Sequence, residues 1–177
     1  MTHLPRRIAV AIPRYTESMV GGAESLLRGY AEQLSAAGCA VEVLTTAAEE
    51  LFALENTLPE GETTINGITV RRFPIAGFDV ERWRSLHERV RQGEKLAYRD
   101  QERLFGEQTH SPELYAFLKA ADDRYDAVIV GPYPFGFTLQ VAAAAGTKAI
   151  WVPCLHDEPM ARLDIIREGL EAARGIL

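Results

Sequence analysis

The stretch that decides the fold is residues 8–45, IAVAI-PRYTESMV-GGAESLLRGYAEQLSAAGCA-VEVLT. Ile8 to Ile12 is an apolar run with β-branched residues, stopped by Pro13 and Arg14, which suits a strand buried on both faces. After a loop from Arg14 to Gly21, Ala23, Leu26, Leu27, Tyr30, Ala31 and Leu34 recur at i, i+3, i+4 and i+7. That spacing predicts an amphipathic helix, and Gly38 is placed to cap its C-terminus. Val41 to Thr45 follows at once as a second strand. A strand, helix and strand of this length form a right-handed parallel crossover, so the sheet is expected to be parallel.

Downstream, Asn66-Gly67 lies between Thr63-Thr64-Ile65 and Ile68-Thr69-Val70, the strongest short hairpin signal in the chain. From Val80 to Phe105 the apolar positions Val80, Trp83, Leu86, Val90, Ala97, Leu104 and Phe105 fall near helical spacing within a heavily charged background. Ser111-Pro112-Glu113 reads as an N-cap followed by proline at the first helical position, opening a helix to about Ala121. Ala127 to Val130 is a strand, Phe135 to Ala145 a helix closed by Gly146, and Ala149 to Val152 another strand. Asp157 or Glu158 is expected to cap a last helix that has Pro159 in its first turn and Met160, Leu163, Ile166, Leu170 and Ala173 along one face. The fold class is therefore α/β: one domain over residues 1–177, a Rossmann-like, doubly wound and mostly parallel sheet. A charged helical insertion is expected near residues 79–110.

Composition narrows the function. A hydrophobic fraction of 47% in 177 residues fills a core and excludes a disordered chain. The 25 Asp and Glu outweigh 19 Lys and Arg, and a net charge of −6 argues against nucleic acid as a partner. The longest uncharged stretch, Ala127 to Thr147, is interrupted by Gly131, Pro132, Pro134 and Gly136, so no spanning helix is expected. Arg6 and Arg7 precede an apolar run that stops at Pro13 without a leader's long core or cleavage site, so that run reads as the first strand. Cys39 and Cys154 form neither a CxxC nor a disulfide framework and read as two buried thiols in a reducing cytoplasm.

In open parallel sheets ligands bind beyond the carboxyl ends of the strands, which selects three loops. These are Arg14 to Glu24, Gly131 to Gly136 and Pro153 to Pro159. Gly21-Gly22 before a helix lets backbone approach a ligand, and the first-turn amides with the helix dipole suit a phosphate. The competing reading is a tight turn needing glycine at positive φ, since the pattern is neither GxGxxG nor GxxxxGK[ST]. Glu24 is a favourable dipole partner or a ligand contact. His156-Asp157-Glu158 places an imidazole and two carboxylates at a strand end, making all three catalytic candidates, against a helix cap with a bystander histidine. Arg14, Glu24, Tyr133 and Phe135 are candidates to line the cleft or meet an acceptor, with plain packing the alternative for the aromatics. No metal site is expected, because His3, His87 and His110 lie in unrelated segments, and no GxSxG elbow presents a nucleophile. The basic residues between Trp83 and Arg103 could meet a phosphate-bearing acceptor or, weakly and peripherally, an anionic membrane face. Five acids interleaved from Glu81 to Glu102 favour a solvated helix with paired charges.

Four motifs in order resemble those of glycosyltransferase family 4. They are Ile8-Ala9-Val10 with the Gly21-Gly22-Ala23-Glu24 turn; Gly38-Cys39-Ala40-Val41-Glu42-Val43-Leu44-Thr45-Thr46, with Cys39 where histidine is common; Asn66-Gly67-Ile68-Thr69-Val70-Arg71-Arg72-Phe73-Pro74; and the segments Tyr125 to Tyr133 and Pro153 to Pro159, similar to a bacterial subgroup. The resemblance implies one lobe of a GT-B fold, the N-terminal, acceptor-side lobe of a retaining enzyme. Such an enzyme transfers a sugar from a nucleotide-sugar, as substrate, to a carbohydrate, lipid or other small acceptor, with no cofactor or metal required. It further implies that Gly21 and Gly22 approach the donor diphosphate and that His156 holds the donor sugar, with the roles of Asp157 and Glu158 open. The family's C-terminal nucleotide-binding lobe, with its E-x7-E motif, is absent from these residues, so this chain alone is expected to have little activity. A cytoplasmic location, with peripheral contact at the inner membrane face left open, goes with that reading. The alternative is a stand-alone nucleotide-binding or non-catalytic α/β interaction module.

Overall fold

The computed structural model describes residues 7–50, 55–121 and 123–177. The described elements run β1 (Arg7–Ala11), α1 (Gly22–Ala36), β2 (Ala40–Thr46), β3 (Gly61–Ile65), β4 (Ile68–Phe73), α2 (Val80–Arg91), α3 (Tyr98–Glu107), α4 (Pro112–Ala120), β5 (Ala127–Val130), α5 (Gly136–Ala145), β6 (Ala149–Trp151), α6 (Asp164–Ala172) and β7 (Gly175–Ile176). The strands form one sheet in the order β3-β4-β2-β1-β5-β6-β7. Only β3 is antiparallel among these pairings. This is a Rossmann-like, doubly wound α/β fold, and its strand order reverses between β1 and β5.

The sequence signals act as expected through β4. Gly38 takes φ 89° while Cys39 N–H returns to the Leu34 carbonyl at 3.1 Å, closing α1. Asn66 and Gly67 take φ 50° and 77°, making the two-residue turn that pairs Ile65 with Ile68. Alternation sorts the core. Ile8, Val10, Val43, Ile68 and Val70 pack under Leu27 and Ala31 of α1. Ala9, Ala11, Leu44, Val128 and Val130 face Leu114 of α4 and Phe137 and Val141 of α5.

Four expectations need correction. The helix over Val80 to Phe105 is two helices, because Gly93 takes φ 82° and the chain turns back at residues 92–97. Leu86, Val90, Leu96, Leu104 and Phe105 then pack with Met160, Leu163 and Ile166. Its charges pair mainly at i, i+3: Arg84 with Glu81, Arg91 with Glu88, Arg103 with Asp100. The last helix is likewise interrupted, a 3-10 turn over Pro159–Arg162 preceding α6, with neither Asp157 nor Glu158 capping by its side chain. Ser111 sits at the N-cap of α4, but its backbone N–H donates to the Tyr115 hydroxyl and its own hydroxyl caps nothing. Both cysteines are free and only partly buried.

At the amino ends of the strands, Glu42 is buried facing α4. Its carboxylate accepts from Arg71 at 2.9 Å, from Arg124 at 3.1 Å and from the Tyr125 hydroxyl. Both guanidiniums also lie against the Phe117 ring, at 5.1 and 5.4 Å from its centre. Arg7 and Asp126 pair at 2.9 Å beside this network. At the other end of the molecule α5 begins against α3 without a side chain between them: a Cβ at Gly136 would lie 1.8 Å from the Phe105 carbonyl oxygen.

Candidate functional site

The loops leaving the carboxyl ends of β1, β5 and β6 converge where the strand order reverses. Gly131 N–H donates to the Ala11 carbonyl at 3.3 Å and Tyr133 N–H to the Pro153 carbonyl at 2.9 Å. A Cβ on Gly131 would lie 2.2 Å from the Val152 carbonyl oxygen, so glycine is what lets these two loops touch.

Three arginines hold the first loop. Arg28 donates to the carbonyls of Thr16, Glu17 and Met19 at 3.4, 3.3 and 3.0 Å. Arg14 donates to the Val20 carbonyl at 3.1 Å and Arg72 to that of Tyr15 at 3.3 Å. Carbonyls turned to guanidiniums leave the amide edge of α1 facing outward. The N–H groups of Gly21, Gly22, Ala23 and Glu24 donate to no acceptor among the described residues, as the first turn of a helix requires when no cap is present. Gly21 has φ 166°, an extended conformation, so positive φ is not why glycine stands there. The Glu24 carboxylate fills the space instead, 2.1 Å from where a Cβ would be. Glu24 is buried and pairs with Arg14 at 2.9 Å, which neutralises it beside the amides. The space around Gly22 is open.

The third loop brings Cys154 to the same place. Its backbone takes φ 52°, and burial, followed by the nearby charge of Glu24, raises its thiol above the ordinary value. His156 is exposed, and its ring has no partner among the described residues. Its backbone N–H donates to the Tyr133 hydroxyl, which donates to the Glu158 carboxylate. Burial, then that contact with Glu158, raises Tyr133 above its usual value. From α2, His87 stacks on Trp83 at 4.9 Å between ring centres. Burial and then Arg91 lower His87, while Glu88 and Glu158 oppose them, so Glu158 faces α2 as well as Tyr133.

The structure therefore joins Gly21, Gly22, Arg14 and Glu24 in one cluster and Tyr133, Glu158 and the His156 backbone in another, with Cys154 between them. It does not keep the tripeptide together. Asp157 points to solvent and pairs with Arg162 at 2.6 Å. Phe135 does not line the crevice: its apolar ring is buried with Phe137 and Val141 in the core under α4 and α5. Sequence reasoning missed Arg28, Arg72, Cys154 and His87; Arg72 meets Tyr15 57 positions away and Cys154 meets the charge of Glu24, partners that only the folded sheet brings close. The positive φ of a non-glycine residue at 154 carries no local signal at all. A groove of about 430 Å³ between α5 and α6, lined by Leu139, Ala142, Ile165 and Gly169, lies on the flank of the sheet, away from this crevice.

Among the described residues no group of three His, Cys, Asp or Glu side chains is arranged to hold a metal, and no helix is long and apolar enough to cross a membrane. Comparison with protein-family models, with curated proteins and with solved structures returned no match.

Proposed function

We propose that this chain is the N-terminal, acceptor-side lobe of a retaining glycosyltransferase, which moves a sugar from a nucleotide-sugar donor to a carbohydrate, lipid or other small acceptor. The observation that carries the reading is that two loops of one topological switch point bear unpartnered α1 amides, at Gly21 and Gly22, and the exposed imidazole of His156. The amides are placed to accept a donor diphosphate and to stabilise the charge that grows on it as the sugar–oxygen bond breaks. Arg14 keeps the Glu24 carboxylate from repelling that anion. His156 offers a hydrogen bond to the donor sugar, held in position because Tyr133 pins its backbone. Val20 is 86% exposed and Leu155 48% exposed at the tips of the two loops. They form the apolar rim on which a second lobe, carrying the nucleotide pocket, would close and exclude water.

The test is sugar transfer by the full-length gene product across a panel of nucleotide-sugar donors. His156→Ala is expected to lower turnover by about 100-fold or more, in the range for loss of one transition-state hydrogen bond, and Asp157→Asn to leave it nearly unchanged. Unchanged turnover in His156→Ala overturns the assignment of the site. Tight nucleotide-sugar binding by these 177 residues alone favours a stand-alone nucleotide-binding module.

A further inference from the structure

Two adjacent arginines of β4 meet opposite fates. Arg71 points under α4 and is saturated by the carboxylates of Glu42 and Glu62, at 2.9 and 2.7 Å. Arg72 continues the opposite face after Ile68 and Val70, under α1, and has no carboxylate within ion-pair distance among the described residues. Its single hydrogen bond is the 3.3 Å contact from one terminal nitrogen to the Tyr15 carbonyl, and its Nε is buried with no acceptor. Burial lowers Arg72 below its ordinary value with no neighbouring charge to offset it. Holding the loop does not account for this, because Arg28 already does so through three carbonyls.

The surroundings are short of acceptors in the same way. Thr45 is the register partner of Arg72 on β2, is fully buried, and its hydroxyl has no partner. Tyr15, whose backbone carbonyl Arg72 touches, is also fully buried, and its hydroxyl lies near Glu32 and Arg28 of α1. A half-buried cation whose Nε has no acceptor, beside the buried and unpartnered hydroxyl of its register partner Thr45, is costly, and an anion with several acceptor oxygens removes that cost.

We infer that Arg72 anchors an oxyanion site at the carboxyl ends of β2 and β4, separate from the Gly21–Gly22 amides, that takes a phosphate group. A guanidinium suits such a group because it presents paired donors to two oxygens at once. Thr45 supplies a further hydroxyl donor as the loop over it adjusts. The phosphate arrives free or as an ester on a small molecule, and the site's chemistry is the same for both.

The experiment follows the arginine Nε–H signals of this chain by nitrogen-15 NMR at slightly acid pH, during titration with inorganic phosphate and, separately, with methyl phosphate. The Arg72 signal is expected to shift and saturate while those of exposed Arg84 and Arg91 stay still. Tighter saturation by methyl phosphate identifies an ester-borne group; equal or tighter saturation by inorganic phosphate identifies the free ion. Arg72→Gln is expected to weaken binding by about tenfold or more, and Arg72→Lys to restore part of it. If Arg72→Gln unfolds, the lysine variant and the wild-type titration decide the matter. No saturable shift at Arg72, or undiminished binding in Arg72→Gln, overturns the site. Parallel shifts of all arginines mean an adventitious ion only and overturn it equally. No nucleotide sugar enters the measurement, so its result is independent of the transferase reading.

Discussion

The two ends of the sheet each hold a tyrosine that donates to a carboxylate, and they use the pair differently. At the amino ends, Glu42 accepts from Tyr125 and from two arginines, so every strong group there has an internal partner. At the carboxyl ends, Glu158 accepts from Tyr133 with no arginine or lysine within ion-pair distance among the described residues, His156 is exposed, and Arg72 and the first amides of α1 are left with unused donors. One end is closed by its own side chains and serves stability; the other keeps hydrogen-bonding capacity in reserve. The net charge of the chain says nothing of this division, because it depends on which charges are already paired.

The comparison breaks most directly at Glu42. Glu42→Ala leaves Arg124 and the Tyr125 hydroxyl without their buried acceptor and is expected to cost about 3 kcal/mol in urea unfolding, against about 1 kcal/mol for Glu158→Ala. Equal costs would erase the distinction between the ends.

Alkaline pH acts on both. Tyr115 is pushed up from 10.0 to about 12 by burial, and Tyr125 and Tyr133 are raised in the same sense. The folded state therefore holds these protons more tightly than the unfolded chain. Their contribution is whole below pH 10 and is lost as pH rises toward 12, about 2–3 kcal/mol for Tyr115 alone. Unfolding free energies measured stepwise across that window should fall, and Tyr115→Phe should flatten part of the slope. Comparing Tyr125→Phe with Tyr133→Phe then divides the remainder between the two ends.

Tyr133→Phe is expected to cost about 1–2 kcal/mol and to speed amide exchange at His156, since the hydroxyl joins that N–H to Glu158. Unchanged exchange at His156 would remove Tyr133 as the positioning residue. The smallest effect is expected at His156 itself: its ring is exposed and has no partner among the described residues, so His156→Ala should alter stability by less than about 0.5 kcal/mol. A larger loss would make the imidazole part of the scaffold.

The fold was legible because its signals are local. Period-two runs, the helical face from Ala23 to Leu34, Gly38 and Asn66-Gly67 each act within a few residues, and the parallel pairing of the first two strands follows from their short crossover. Gly93 carried a local signal too, but the charged helical pattern on either side obscured the turn it makes. The candidate site was legible only as three loops. That Glu42 gathers Arg71, Arg124 and Tyr125, 29 to 83 positions away, is a product of the finished sheet. So is the separation of Asp157 from His156, set by Arg162 and Tyr133 pulling neighbouring residues in different directions.

The contact of Gly136 with α3 reaches beyond this molecule. Because the start of α5 meets the Phe105 carbonyl with no room for a β-carbon, α3 and the glycine are tied to each other. In descendants that keep α3 in this seat, position 136 is barred to every other amino acid; in descendants that have shed it, the position is released and drifts. One residue thus ties the seat of a helix to a single backbone position.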